Sequence, residues 1–304
     1  MIIILIIILI VLILLILLIL LLNKSKFNPV NNFNDVLINF CSFYTEGPPN
    51  DEGKFLSDCV PEINKNAQGH FNKITFYTPK ILRELGYGKY LREYKLTPLI
   101  QIWSPIEKIG LSSFRPAMFL HELSKMNDGD ILFHRDINWK KYSYFTNFDN
   151  IDKVIKKCLQ VCQFDFFVPA QPPGTNSLIR HYVKTKVIKE LGEDNPFTYE
   201  YPIVHCYMFI MRKSKVTIEL LTEWQRAMEN DEWLNGESYG MTHEGFMNIH
   251  CLDQAILSVI IANWIRKGKY NIPKKYPSIN SIDYTNNNVS STINYDYLKI
   301  LDKK

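Results

Sequence analysis

The first 22 residues, Met1 to Leu22, carry no polar side chain, and nothing else in the sequence constrains the chain as strongly. At 1.5 Å per residue a helix of that length reaches about 33 Å, enough to cross a hydrocarbon layer of roughly 30 Å. A secretory signal would need a basic start, an apolar stretch of only about 7–15 residues and a small-residue cleavage site. Here Asn23-Lys24-Ser25-Lys26 follows the apolar run directly. The sequence therefore predicts an uncleaved, single-pass transmembrane anchor at 1–22. Lys24 and Lys26 follow the helix and no Lys or Arg precedes it, which by the positive-inside rule draws the rest of the chain toward the cytosol. Sequons at Asn23 and Asn288 add little, because such triplets arise by chance in an Asn-rich chain.

Behind the anchor, the polar stretch 23–34 reads as a linker, 35–271 as one domain and the proline-punctuated stretch 272–304 as a polar tail. The net charge of +4 is small for this length, and Lys and Arg are scattered among Asp and Glu. No basic stripe marks a nucleic-acid partner. The six cysteines, at 41, 59, 158, 162, 206 and 251, form neither a disulfide scaffold nor a CxxC zinc site. Cys158 and Cys162 share a helix face, and core packing is their plainest role.

Within the domain, β-rich runs alternate with helical patterns. Strands are expected at 35–44, 73–78, 130–137, 164–170 and 203–211. Apolar residues at three-to-four spacing predict helices over 54–64, 112–126, 150–163, 177–192, 217–230 and 252–265. Alternation of this kind builds an α/β fold with a mostly parallel sheet flanked by helices. Ligands of such sheets bind beyond the carboxyl ends of the strands. Three ends carry suitable chemistry: Cys41 to Tyr44, Phe133 to Asn138 and Ala170 to Gly174.

The stretch 115–139 is the most informative. A helix ends near Met126, Asn127-Asp128-Gly129 reverses the chain, and Ile131-Leu132-Phe133 forms a buried strand with polar residues at its end. Asp136 and Asn138, one residue apart on extended backbone, point to the same side and offer oxygen ligands to a hard divalent ion. Alone, the pair reads better as a turn cap after the strand, so the metal reading needs further support. A second cluster, His250, Asp253 and Gln254, opens a strongly apolar helix, whose free N–H groups favour anions. Asp253 also suits an N-cap.

Together these pieces resemble the GT-A glycosyltransferases, which are nucleotide-sugar-dependent enzymes. The matching residues are Arg115-Pro116, Gly129-Asp130, the strand Ile131 to Phe133, Asp136-x-Asn138 and His250-x-x-Asp253-Gln254, within 35–265. The resemblance implies a GT-A, Rossmann-like fold and sugar transfer from a nucleotide-sugar donor to a glycan, glycoprotein or glycolipid acceptor. It implies Mn2+ or Mg2+ held by Asp136, Asn138 and His250. Asp253 and Gln254 take the catalytic positions, and Ser42, Phe43, Tyr44, Arg115 and Arg135 the donor-binding ones. It also favours a lumenal domain, against the charge rule. Asn138 stands where the family has a second acid, and Arg135 adds a positive charge beside the motif.

His134-Arg135-Asp136 spells the kinase catalytic triplet, but Lys141 stands where a kinase has Asn and no Asp-Phe-Gly follows. Gly86-Tyr87-Gly88 lacks the third glycine of a phosphate loop and reads as a helix C-cap and turn. Tyr142 to Phe145 and Phe197 to Tyr201 are aromatic clusters that suit packing better than sugar stacking. A reading from another class also fits: a membrane-anchored binding or scaffold protein with a degenerate glycosyltransferase fold.

Overall fold

The computed structural model describes residues 35–45, 55–92, 112–137, 147–162, 164–170, 178–234, 252–269, 282–283 and 288–289, all within one unit, Asn34–Lys304. The anchor 1–22, the linker 23–34, Asn138, His250, Gln171 to Gly174 and Tyr142 to Phe145 lie outside the described residues. Among the described residues no helix is long and apolar enough to cross a membrane.

The fold is α/β. Five strands, β1 (Ile38–Phe43), β2 (Lys73–Tyr77), β3 (Ile131–Arg135), β4 (Phe166–Phe167) and β5 (Met208–Arg212), form one sheet in the order β2-β1-β3-β5-β4. β1 pairs parallel with β2 and β3, while β5 runs antiparallel to both β3 and β4. Four strands thus point one way and β5 the other. Every residue of β3 is buried, as a central strand covered on both faces requires.

The helices of the first half are α1 (Val60–Ala67), α2 (Pro79–Glu84), α3 (Phe114–Ser124) and α4 (Ile151–Cys162). Those of the second half are α5 (Ile179–Tyr182), α6 (Thr185–Glu190), α7 (Pro196–Glu200), α8 (Lys215–Met228), α9 (Asp231–Leu234) and α10 (Leu252–Arg266). On one face of the sheet α3 and α8 pack together, and Phe119 lies 5.0 Å from the His134 ring and 4.9 Å from Phe209. Trp224 of α8 closes this layer, its ring 5.7 Å from Phe209. On the other face Phe40, Phe71, Phe133 and Phe148 form an aromatic cluster, with Phe40 5.2 Å from Phe71 and 5.3 Å from Phe148. Burial of such rings, about 1.5–3 kcal/mol each relative to exposure, is the main force holding the layers together.

Local chemistry sets the ends of these elements. Ser214 caps α8, its hydroxyl accepting from Thr217 N at 3.2 Å. Gly129, at φ +94°, makes the reversal before β3 that a side chain would strain. Asp130 then fixes that turn, accepting from Asn127 N at 3.0 Å and from Leu37 N at 3.2 Å.

Three expected elements differ. The strand over 164–170 shortens to β4, because Pro169 has no N–H to give a ladder. The strand over 203–211 begins only at Met208, and residues 204–206 turn away to bond Pro169 and α10. The helix over 177–192 splits into α5 and α6 at Val183 and Lys184, which are extended and buried. In the tail, Ile282–Asp283 pairs antiparallel with Asn288–Val289.

Candidate functional site

The connections from β1 and β3 leave in opposite directions, β1 to β2 on one side and β3 toward β4 on the other. Such a switch point opens a crevice beyond the carboxyl ends of the two strands. Asp136 stands at this position, directly after β3. Its backbone is fixed by a 2.8 Å bond from its N–H to the Tyr207 carbonyl, and its side chain is 32 % exposed.

Two helices bring partners to it. Arg115 is the second residue of α3, and Asp253 the second residue of α10. Arg115 Nη2 donates to Asp136 Oδ1 at 2.9 Å and Oδ2 at 3.0 Å, and Nη1 donates to Asp253 Oδ2 at 2.6 Å. One guanidinium thus bridges two carboxylates. Pro116, beside it, sits in the first helical turn, where its missing N–H breaks no helical bond.

The third partner is His134, two residues before Asp136 and therefore on the same face of the strand. Its Nε2 lies 3.1 Å from Asp136 Oδ1 and its Nδ1 2.9 Å from the Cys41 carbonyl. The ring is fully buried, and that burial holds its pKa below the usual imidazole range, against the pull of Asp136. For Asp136, burial opposes ionisation, but the Arg115 charge and the His134 bond outweigh it and the pKa falls. Asp253 goes the other way. Burial raises its pKa, Arg115 offsets only part of the rise, and the charge of Asp136 adds to it. Two carboxylates on one guanidinium are therefore unequal acids, as acid–base pairs in active sites are.

The Gln254 side chain bonds the backbone: its Oε1 accepts from Cys206 N at 3.3 Å, while Ser258 Oγ accepts from Val204 N at 3.0 Å. These bonds tie the start of α10 to the segment that left β5. Phe43 and Tyr44 are half-buried at the end of β1, and the Phe43 ring lies 4.0 Å from that of Phe114, the neighbour of Arg115. Ser42 is fully buried, its hydroxyl donating to the Arg135 carbonyl at 2.6 Å, so it joins two strands and faces no crevice.

Arg135 is 1 % exposed and points to the opposite face of β3, away from Asp136. Its guanidinium stacks on Phe133 and Phe148, at 5.3 and 5.4 Å, and donates to the Asn147 carbonyl at 3.0 Å. The structure brings Arg115, Asp136 and Asp253 together and leaves Arg135 and Ser42 outside. Asn138 and His250, the other expected metal residues, lie outside the described residues. Among the described residues no three His, Cys, Asp or Glu side chains group to hold a metal. Sequence reasoning missed His134 as the partner of Asp136; strand alternation, which separates 134 and 136 from 135, was the available signal.

No protein-family model matches the chain, and no curated protein matches it.

Proposed function

We propose that this chain is a GT-A-type glycosyltransferase that moves a sugar from a nucleotide-sugar donor to a glycan, protein or lipid acceptor, tethered to a membrane by residues 1–22. One observation carries the reading. Asp136 and Asp253, the carboxylates of the two motifs, meet on Arg115 at the crevice of a switch point, where α/β sheets bind ligands.

Carboxylate oxygen is the ligand type that a hard divalent ion, Mn2+ or Mg2+, takes, and Asp136 offers it one open position. Asp136 is half-exposed and carries about four acceptor positions, of which His134 and Arg115 use three. Such an ion, when bound, neutralises charge on a diphosphate leaving group. The residues themselves do the rest. Asp136 would hold the ion, the unequal acid Asp253 would face the sugar or the acceptor hydroxyl, and His134 keeps the Asp136 carboxylate in one orientation. Phe43, packed against Phe114, would offer an apolar edge for the donor base.

The test is hydrolysis of a panel of nucleotide sugars by the purified chain, with and without manganese. Metal-stimulated release of a nucleoside diphosphate supports the reading. No turnover together with retained nucleotide binding would favour the non-catalytic scaffold, toward which Asn138 in place of an acid points.

A further inference from the structure

Nη2 of Arg115 stands almost equidistant from the two oxygens of Asp136, at 2.9 and 3.0 Å, where a cation chelated by that carboxylate would sit. Its other arm is anchored on Asp253 at 2.6 Å, and the Arg115 side chain is only 13 % exposed. The guanidinium is thus a built-in cation held by the fold on the chelating edge of the proposed ligand.

We infer that Arg115 and a divalent ion chelated by both oxygens of Asp136 exclude each other, so that Arg115 keeps this chelating edge closed to the free ion. The inference rests on the assignment of Asp136 as an ion ligand, but not on any transfer chemistry. Three physical points carry it. Both cations need the same edge of one carboxylate. Asp136 has a single acceptor position left once His134 and Arg115 are served, enough for one ligand bond but not for chelation. A fixed unit charge a few ångströms away also opposes a second cation in a partly buried site, where screening by salt is weak. It follows that the ion enters with an anionic diphosphate, whose charge offsets the guanidinium, and not ahead of it.

The experiment is calorimetric titration of Mn2+ alone into the full chain and its variants. Arg115→Gln is expected to bind Mn2+ about tenfold more tightly or better than the parent, since a repelling unit charge is gone. Arg115→Lys keeps the charge and is expected to stay as weak as the parent. If Arg115→Gln does not fold, the paired change Arg115→Gln with Asp253→Asn removes both partners of the buried contact, leaves no bare charge between them, and carries the same expectation. Equal or weaker Mn2+ binding in these uncharged variants would overturn the inference. Nucleotide-sugar hydrolysis is read separately, so a chain that transfers no sugar but gains Mn2+ affinity on losing Arg115 would sink the transferase reading and leave this inference standing.

Discussion

Arg115 and Asp253 are 138 residues apart in sequence, yet a 2.6 Å hydrogen bond joins Nη1 of one to Oδ2 of the other. Because the same guanidinium reaches Asp136, this contact couples the start of α3, the end of β3 and the start of α10. Breaking one side of a buried ion pair leaves the other charge uncompensated, at a cost of about 3–5 kcal/mol. Arg115→Gln is therefore expected to lower stability by about 3 kcal/mol, and adding Asp253→Asn to recover part of the loss, with a coupling of about 1–3 kcal/mol. Urea unfolding of the parent, both single variants and the double variant measures the cycle; additive losses would mean that the pair is not energetically coupled.

Asp136→Asn tests the ligand assignment. The amide keeps the shape of the carboxylate but loses its charge, and one of its two oxygen acceptors becomes a donor facing Arg115 or His134. A stability loss of about 1–3 kcal/mol is expected. Binding of uridine or guanosine diphosphate in the presence of manganese is expected to be lost in the fraction that remains folded. Were Asp136 only a structural partner of Arg115 and His134, the stability loss would remain and diphosphate binding per folded molecule would hardly change. Calorimetry with and without manganese separates the two outcomes.

The sheet and its main helices were legible because each rests on local periodicity. The pattern of Ile131 to Phe133 predicts a buried strand, and β3 begins and ends within the expected range. What escaped depends on contacts that no window of sequence contains. Val183 and Lys184 interrupt a helical pattern without Gly or Pro, since the packed interior takes both side chains. The segment 203–207 has strand composition, but Val204, His205 and Cys206 give their N–H groups to Ser258, Pro169 and Gln254. At the candidate site, spacing and chemistry singled out Asp136 and Asp253, which meet on Arg115, whereas the bridging position of Arg115 depends on three elements meeting in space.

Arg135 looked like a phosphate contact because it adjoins Asp136, but one residue along a strand is the other face of the sheet. Arg135→Leu removes the stack on Phe133 and Phe148 and leaves the Asn147 carbonyl without that donor. The expected result is a stability loss of about 1–3 kcal/mol. Diphosphate affinity per folded molecule stays at the parent value. A selective fall in affinity, with stability unchanged, would return Arg135 to the donor site.

His205 gives the fold a pH dependence of definite sign. Its Nε2 is buried and finds no hydrogen-bond partner among the described residues, and burial pushes its pKa down to about 4. In the unfolded chain the ring titrates near 6.5. Between those two values the unfolded state binds the extra proton and the folded state does not, so stability falls as pH drops through about 6.5 to 4 and is fully retained above it. The span corresponds to about 3–4 kcal/mol for this one group. His205→Leu puts an apolar side chain of similar reach in its place and removes the titration, so the variant should lose less stability than the parent between neutral pH and pH about 4.5. Urea unfolding followed by tryptophan fluorescence at both pH values gives the comparison. Identical acid sensitivity in the two proteins would mean that His205 takes up its proton in the folded state as readily as in the unfolded one.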